Sequence, residues 1–487
     1  MSEATMRFRL SLRIASAIGA LIISGGGSIG GNRCAAEPPN IILLLADDLG
    51  WTGLRSFGSD FYETPNLDAL AAKGVKFTNA YAACTVCSPT RASIMTGKYP
   101  ARLHLTDFIA GQHRPHAKLM IPDWTKRLAP DEITIAESLR AAGYRTGHIG
   151  KWHLSGSGSD AAGTSPTDQG FDVSFERPKG AKGYLLEDSS KSKTGSRYLT
   201  DVLTDKACDF IDESRSRPFF LYFAYNVPHT PIQGRADLVE YFQRKVDENA
   251  VHRNPVYAAM VASLDQSVGR IVDRLDHHSL AEKTVVVFFS DNGGLTQRNG
   301  KHDGFTDNFP LRRGKGSAYE GGVRVPAIVS WPGVTAAGSI CNEPIITTDL
   351  FPTFLEMAAV EVDAGQIIDG RSITPLLRDV STTVDRDLFW HYPHYHAGGD
   401  GPYSAIRSGD YRLIEFHEDR SIHLYNIAED LGEQVDLAAV QPEKAASLQA
   451  KLHQWLDTVD AQLPNPNPNY DPDLASNVAK RPKRKSQ

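Results

Sequence analysis

The chain has 487 residues, of which 41% are hydrophobic and 23% are charged, and its formal net charge at pH 7 is -6. This length and composition are typical of a protein with a large apolar core and more than one domain. The acidic balance disfavours a general nucleic-acid-binding protein, because such proteins carry a surplus of lysine and arginine that neutralises phosphates.

Residues 1–36 have the pattern of a signal peptide. Arg7, Arg9 and Arg13 precede the apolar run IASAIGALII, and small residues lead to a predicted cleavage site after Ala36. The run is too short for a membrane anchor, and no later segment has the roughly 18 apolar residues that a spanning helix needs. We therefore expect an exported protein, periplasmic or secreted and bacterial, without a stable membrane span. A disordered N-terminus is the alternative.

Four short apolar runs predict strands that are buried on both faces of a sheet. They are residues 40–46, 144–149, 218–225 and 284–290. Such runs, rich in branched and aromatic side chains, are typical of strands in a parallel sheet. Predicted helices alternate with them at residues 67–73, 134–142, 198–212 and 256–275. The sequence therefore predicts an α/β fold with a large, mostly parallel sheet flanked by helices.

The pattern changes at the end of a predicted larger domain, which covers residues 38–377. Short aromatic-rich strands follow, YRLIEF at 411–416 and IHLYNI at 422–427, and then a last helical pattern. We interpret residues 378–463 as a smaller α+β domain that contains an antiparallel sheet. Residues 464–487 carry an NPNPNY repeat and a basic run, and we expect this tail to be disordered.

Acidic and amide side chains follow two of the predicted strands. Asp47 and Asp48 come after the first strand, and Asp291 and Asn292 after the fourth. In α/β sheets, ligands bind beyond the carboxyl ends of the strands, so these side chains are expected to gather there. Their oxygen atoms suit calcium or magnesium, and the lack of clustered thiolates and imidazoles disfavours zinc or copper. Strand-terminating turns explain each pair when it is considered alone.

A second group of candidate site residues is cationic or polar. Its members are Arg91, Lys151, His153, His229 and Lys315. Several fixed positive charges that face a divalent cation make sense when an anionic group binds between them. Individually, each lysine or arginine also fits a solvated surface position, and each histidine fits a structural one.

The stretch CTVCSPTR contains two cysteines, Cys84 and Cys87, at C-x-x-C spacing. A zinc site needs a second pair of thiol or imidazole ligands, and the other cysteines stand alone in the sequence. A redox pair normally opens a helix in a small βαβ unit, whereas this chain is large and a proline and an arginine follow Cys87. A thiolate nucleophile with His153 or His229 as its partner stays open.

The residues CSPTR at 87–91 match the C-x-P-x-R signature of the type I sulfatases, and GYRTGHIGKWH at 143–153 resembles their second signature. The chain is thus similar to formylglycine-dependent sulfatases such as arylsulfatase A and N-acetylgalactosamine sulfatases, from Pro39 through the smaller domain. The resemblance implies an alkaline phosphatase-like fold and hydrolysis of sulfate monoesters. In that family a dedicated maturation enzyme oxidises the cysteine to Cα-formylglycine, an aldehyde that hydrates to a geminal diol.

The resemblance also implies how the nucleophile and the metal are bound. Cys87 becomes the nucleophile, and Arg91 fixes it and the surrounding loop. One calcium or magnesium ion binds a diol oxygen at Cys87 together with four side chains, which are Asp47, Asp48, Asp291 and Asn292.

The same resemblance assigns the remaining polar residues. Lys151 and Lys315 bind the sulfate, and Lys315 and His229 assist the leaving alcohol. His153 takes a proton from the second diol hydroxyl, which regenerates the aldehyde and expels sulfate without attack by water. We interpret Cys84 as a packing residue, and a disulfide to the nucleophile before maturation is the alternative.

The substrate is less well defined by the sequence. Exported bacterial relatives commonly act on sulfated polysaccharides, so we expect a sulfated carbohydrate. Candidate sugar contacts are His104 and Asp107 in RLHLTD, and His391 and His394 in the HYPHYH run of the smaller domain. These residues equally fit structural roles.

Two other functions remain as alternatives. A phosphonate or phosphate ester hydrolase would use the same nucleophile, and a non-catalytic protein that binds sulfated glycans would leave Cys87 unmodified. The sequence also implies a formylglycine-generating maturation enzyme as a partner, and no nucleic acid.

Overall fold

The computed structural model describes residues 38–178, 181, 183–186, 197–297 and 304–475. The predicted signal peptide therefore lies outside the described residues. None of the helices in the described part of the chain is both long and apolar enough to cross a membrane.

Strands and helices alternate along most of the chain. The strands are β1 (Asn40–Ala46), β2 (Val75–Phe77), β3 (Ala80–Tyr81), β4 (Leu119–Met120), β5 (Arg145–Gly150), β6 (Val173–Phe175), β7 (Leu185–Leu186), β8 (Arg197–Tyr198), β9 (Phe219–Ala224), β10 (Thr284–Ser290), β11 (Ala327–Ser330), β12 (Ser339–Cys341), β13 (Ile345–Ile346), β14 (Asp387–Tyr392), β15 (Tyr403–Ser408), β16 (Tyr411–Phe416), β17 (Ile422–Asn426) and β18 (Asn465–Pro466). The α-helices are α1 (Pro65–Lys73), α2 (Cys87–Thr96), α3 (Pro100–Leu103), α4 (Ile135–Ala141), α5 (Leu199–Ser214), α6 (Ala236–Gln243), α7 (Pro255–His277), α8 (Glu320–Val323), α9 (Leu350–Met357), α10 (Thr374–Arg378) and α11 (Pro442–Thr458).

The largest sheet has eight strands in the order β12-β2-β11-β10-β1-β9-β5-β6. Strand β1 pairs in parallel with both β10 and β9, and β5 pairs in parallel with β9 and β6. Strand β11 runs antiparallel to its neighbours β10 and β2. The predicted large, mostly parallel sheet is therefore confirmed, and it is mixed at one side.

Side chains of the central strand β1 point alternately to the two faces of the sheet. Ile41, Leu43 and Leu45 belong to a core that also contains side chains of α2, α4 and α9. Ile42 and Leu44 belong to a second core, with side chains of α1, α5 and α7. Because both faces are covered by helices, all seven residues of this strand are buried, which explains its continuously apolar sequence.

The predicted C-terminal antiparallel sheet is also confirmed, in the order β14-β15-β16-β17. Helix α11 packs on one of its faces. On the other face, aromatic side chains of the sheet share a core with Tyr81 and Val86, in the segment that precedes Cys87. The indole N–H of Trp390 donates to the carbonyl oxygen of Ala82 at 2.8 Å. The smaller sheet therefore supports the chain directly before the candidate nucleophile.

The division predicted at residue 377 does not coincide with a gap in packing. The described residues from Pro38 onward form one compact unit. The border between a larger and a smaller domain therefore stays a prediction.

Residues 464–475 differ from the expected disorder of the tail. Strand β18 pairs antiparallel with β4, and the side-chain amide of Asn467 donates to the carbonyl oxygens of Pro115 and Ala117 at 2.9 and 2.7 Å. The sequence did not indicate this short strand, because the segment is rich in proline and asparagine. Its partner β4 also lies far away in the sequence. The remainder of the predicted tail, residues 476–487, lies outside the described residues.

Candidate active site

A cavity of about 810 Å³ lies at the carboxyl ends of four neighbouring strands, β10, β1, β9 and β5. The predicted site residues that line it are Asp47, Asp48, Cys87, Lys151, His153, His229 and Lys315. Arg91, Asp291 and Asn292 are fully buried and contact members of this set. The structure thus brings together all ten residues of the predicted catalytic and metal-binding set.

Cys87 is the first residue of α2 and is only 2% exposed. Its Sγ lies 3.3 Å from Nδ1 of His153, and Nε2 of His153 contacts the carbonyl oxygen of Ile109. Because a carbonyl oxygen only accepts, the proton of the neutral imidazole resides on Nε2, and Nδ1 presents its lone pair to Cys87. Burial and the nearby charge of Lys151 lower the pKa of His153 to about 3. The histidine is therefore a neutral acceptor aimed at the cysteine.

Arg91 connects helix α2, which begins at Cys87, to two strand ends. Its Nε and one terminal nitrogen donate to Oδ2 of Asp291 at 3.0 and 2.7 Å, and the other terminal nitrogen donates to the carbonyl oxygen of Lys151 at 2.7 Å. Burial alone would lower the pKa of this guanidinium, but Asp291 together with Tyr222, Asp47 and Cys87 raises it above its usual value. The fixed charge and planar fork of arginine make this connection rigid.

Each of the two aspartates after β1 forms an ion pair with one lysine. Lys151 Nζ lies 2.9 and 2.8 Å from the two carboxylate oxygens of Asp47, and Lys315 Nζ lies 2.7 and 2.9 Å from those of Asp48. Burial would raise the pKa of both carboxyls, but the cations prevail: the pKa of Asp47 falls to about 2, and that of Asp48 is also lowered. Both groups are therefore ionised at neutral pH.

The donor set at this point fits a hard divalent cation. The side-chain oxygen of Asn292 is buried and has no hydrogen-bond partner among the described residues, while its Nδ2 donates to Asp48 at 2.8 Å. Ligand atoms of Asp47, Asp48 and His229 lie within 4.8 Å of one another. Buried carboxylates together with a free amide oxygen are ligands that calcium and magnesium prefer.

Two residues of the site have a backbone conformation that is uncommon for non-glycine residues. The φ angle is 66° at Asp48 and 59° at His153, both in the left-handed region. Such conformations cost free energy, and they recur where the surrounding structure fixes a functional side chain.

Comparison with known proteins supports one family. The family model described as Sulfatase matches residues 39–360, and the model described as N-sulphoglucosamine sulphohydrolase, C-terminal, matches residues 314–462. The chain belongs to the sulfatase family. It is 34% identical to a protein named Sulfatase from Formosa agariphila, over 87% of this chain and 89% of that protein. It is 33% identical to human N-acetylgalactosamine-6-sulfatase, over 73% of this chain and 69% of that protein.

The solved structures agree with this assignment. The crystal structure of Ps i-CgsB in complex with k-i-k-neocarrahexaose is similar to the chain with a TM-score of 0.73 and 29% sequence identity, covering 89% of this chain and 95% of that one. The structural relatives, which include proteins named as sulfatases and a phosphonate monoester hydrolase, share the alkaline phosphatase-like fold, and this confirms the predicted fold. This sulfatase is a sulfuric ester hydrolase, as its relatives are.

Four residues of this sulfatase that were predicted to contact sugar do not line the cavity. Nε2 of His104 bonds to the carbonyl oxygen of Asp460 at 2.8 Å. His391 bonds to Ser404 and Gln462, His394 bonds to Thr106, and Asp107 accepts from Tyr392 at 2.8 Å. We therefore correct their predicted role as direct sugar contacts, because they lie outside the cavity lining and each makes at least one hydrogen bond within the protein.

Asp107 illustrates the structural role of these residues. Its carboxylate is 1% exposed and also accepts from the backbone N–H of Phe108 at 2.9 Å. Burial raises the pKa of Asp107 to about 7. The contacts of Asp107 fix the start of the loop that carries Ile109, whose carbonyl oxygen orients His153.

Cys84 is a packing residue, as the sequence indicated. It is 3% exposed, lies in the core shared with the C-terminal sheet, and has a free thiol. Burial raises the pKa of this thiol well above its usual range. A thiol that does not ionise is a poor nucleophile and a poor metal ligand.

Sequence reasoning missed several residues that line the cavity. They are Phe108, Ile109, Ser155, Glu176, Arg177, Tyr184, Asn226, Thr230, Leu295 and His396, among others. His396 is the third histidine of the HYPHYH run. The run therefore indicated the correct segment, although its other two histidines face the interior.

Proposed function

We propose that this sulfatase is an exported carbohydrate sulfatase that uses a formylglycine made from Cys87 and one divalent cation. The observation that carries this proposal is the position of Cys87 in a single cavity with two lysines and two buried carboxylates, 3.3 Å from a neutral histidine. This is the set of groups that attack at sulfur requires: a nucleophile, cations for the sulfate oxygens and proton acceptors.

In this proposal different side chains bind the sulfate, position the nucleophile and transfer protons. Lys151 and Lys315 bind the non-bridging sulfate oxygens, because charge-assisted contacts suit a group that carries negative charge. Arg91 fixes the helix that begins at the nucleophile. His153 Nδ1 accepts a proton from the second hydroxyl of the hydrated formylglycine, and His229 assists the leaving oxygen.

The cation would be bound by the oxygen atoms of Asp47, Asp48, Asp291 and Asn292. When bound, it would supply Lewis-acid charge stabilisation at the sulfate. Formylglycine in its hydrated form supplies the oxygen nucleophile, and a maturation enzyme is the partner needed to make it.

Similarity to named relatives supports a sugar as the carrier of the sulfate. One relative is an N-acetylgalactosamine-6-sulfatase, and one solved relative was crystallised with a neocarrahexaose. A cavity of about 810 Å³ is within the range of small-molecule sites and is large enough for a sulfated monosaccharide. The signal-peptide pattern of residues 1–36 supports export to a periplasmic or extracellular location, where sulfated polysaccharides are accessible.

Paired substrates test the reaction type. We expect the matured protein to hydrolyse 4-nitrophenyl sulfate with a higher kcat/KM than 4-nitrophenyl phosphate or a phosphonate ester, and to release sulfate from at least one saccharide in a panel of sulfated galactose, galactosamine and glucosamine. Faster phosphate or phosphonate turnover would identify the alternative hydrolase. Sulfate turnover without any saccharide turnover would contradict the carbohydrate part of the proposal.

Removal of the metal tests the cation site. Treatment with a chelator is expected to lower sulfatase activity at least about 100-fold, because the cation contributes several kcal/mol of charge stabilisation. Adding calcium or magnesium should restore activity and raise the thermal unfolding midpoint, since an ion that binds only the folded state stabilises it.

Two asparagine variants provide the matched comparison for this experiment. Asn292→Ala should reduce the rise in unfolding midpoint on adding the ion, whereas Asn342→Ala, at an exposed position, should not. Full activity and an unchanged midpoint after chelation would contradict the cation site.

A further inference from the structure

One side chain of the cavity has a free hydrogen-bonding atom and no role in the reaction described above. His396 lies in the loop after β14, yet its ring lines the same cavity as Cys87, Lys315 and Phe108. The C-terminal region thus contributes directly to the site, through the third histidine of the HYPHYH run.

The ring of His396 is fixed by its neighbours. A Cβ atom added to Gly316 would lie 2.0 Å from Nδ1 of His396, and Gly316 has a φ of 83°. Only glycine permits this close approach of the ring to the backbone beside Lys315. The ring of Phe108 lies edge-on, with the two centroids 6.0 Å apart. The imidazole therefore has one orientation relative to the sulfate-binding lysine.

A hydrogen bond to the ring of His396 also fixes its tautomer. The backbone N–H of Gly398 donates to Nδ1 at 3.1 Å, so Nδ1 is an acceptor and the ring proton resides on Nε2. Burial, together with the charge of Lys315, lowers the pKa of His396 to about 3, so the ring is neutral. Among the described residues, Nε2 has no hydrogen-bond partner. One uncharged donor is therefore left for a ligand in the cavity.

We propose that His396 Nε2–H donates to an uncharged oxygen, a hydroxyl or the ring oxygen, of the sugar residue that carries the sulfate ester. This inference rests on the proposed carbohydrate sulfatase function and identifies a residue that selects the sugar. The lysines already supply the charge that a sulfate needs, whereas a single neutral donor matches a neutral oxygen. A site built to hydrogen-bond a substrate oxygen rejects analogues that lack it, because the donor is then unpaired in the filled cavity.

The test compares a saccharide with an aryl substrate in two His396 variants. The probes are 4-nitrophenyl sulfate and the sulfated monosaccharide that the wild-type protein hydrolyses fastest. His396→Phe should lower kcat/KM for the saccharide by about 10- to 100-fold, and this loss should exceed the loss on the aryl sulfate at least about tenfold. His396→Gln, whose amide offers an N–H, should recover part of the loss on the saccharide.

A second histidine serves as the control. His104→Gln changes a histidine that contacts Asp460 outside the cavity, and it should leave both substrates unaffected. Thermal unfolding identifies any variant that fails to fold, and the glutamine variant then decides the question if the phenylalanine variant does not fold.

The possible results separate this inference from the proposed function. Equal losses on the two substrates, or no loss on the saccharide, would overturn the role of His396 in sugar recognition. A wild-type protein that hydrolyses the aryl sulfate but no saccharide would instead overturn the carbohydrate assignment on which the inference rests.

Discussion

Replacing Cys87 with alanine is expected to reduce sulfate ester hydrolysis by more than about 10⁴-fold, because removal of a catalytic nucleophile leaves only binding and charge stabilisation. The side chain is small, and its Sγ contacts Nδ1 of His153 at 3.3 Å. The substitution removes one buried sulfur atom, so the protein should still fold. Initial rates with an aryl sulfate, together with thermal unfolding, check both statements.

Cys84→Ala is the matched control for this prediction. Cys84 is a buried free cysteine three positions before Cys87, so its replacement removes the same atoms from the same segment. It should retain activity within a few-fold, although the small cavity that it leaves will lower stability. Equal activity of Cys87→Ala and wild type would instead support the alternative of a glycan-binding protein without catalysis.

Mass spectrometry distinguishes formylglycine from an ordinary thiolate nucleophile. Trypsin cleavage after Lys76 and Arg91 gives one peptide that contains both cysteines. In the active protein, the mass should correspond to an aldehyde at Cys87 and a thiol at Cys84. Two thiols in a fully active preparation would contradict the maturation step and leave a cysteine nucleophile as the explanation.

The central strands were predictable because burial on both faces gives them a continuously apolar sequence. A strand that helices cover on both faces is continuously apolar, and it ends where polar residues meet solvent or ligand at the edge of the sheet. The runs 40–46 and 284–290 were therefore predicted with the bounds that the structure has. The polar residues after these two strands were, for the same reason, predictable members of one site.

The short strands at the side of the sheet were not predictable in this way. Strands β2 and β12 have three residues each, too few to show a periodic pattern. The antiparallel direction of β11 depends on the path of the connecting chain. Strand β18 requires a partner near residue 119, and no local pattern encodes that contact.

Which histidine of the HYPHYH run lines the cavity was likewise not predictable from a local pattern. Side chains of a strand alternate between its faces, but β14 ends at Tyr392, so alternation does not extend to the rest of the run. The position of His396 is set by its contact with Gly316, which lies 80 residues away. Sequence reasoning therefore selected the correct segment and assigned the contact to His391 and His394, which are buried.

The proposed catalytic set was predicted for two different reasons. Composition and position indicated oxygen ligands and cations at strand ends, but they left the identity of the nucleophile open. The resemblance of residues 87–91 to the sulfatase signature assigned that role to Cys87. Geometry adds what neither could supply: the tautomer of His153, which depends on the carbonyl oxygen of Ile109.

Replacing Arg91 with methionine is expected to lower the free energy of unfolding by about 3–5 kcal/mol, because it leaves Asp291 buried without its ion-pair partner. The pair has an N–O distance of 2.7 Å, and both side chains are 0% exposed. Activity should fall as well, since Arg91 also binds the carbonyl oxygen of Lys151 and so connects the proposed nucleophile to a residue that we propose binds sulfate. Denaturant titration measures the first effect, and steady-state kinetics measures the second.

We expect this large loss of stability because the ion pair is buried, and an ion pair on the surface provides the comparison. Arg244 and Glu240 have an N–O distance of 2.6 Å, but their side chains are 65% and 74% exposed, so Arg244→Met should cost less than about 1 kcal/mol. Arg91→Lys keeps the charge but lacks the planar fork, so its stability should lie between those of wild type and Arg91→Met. If Arg91→Met were no less stable than Arg244→Met, Arg91 would not be the connection that fixes α2 to the strand ends. The orientation of Cys87 would then have to depend on the core beneath the C-terminal sheet.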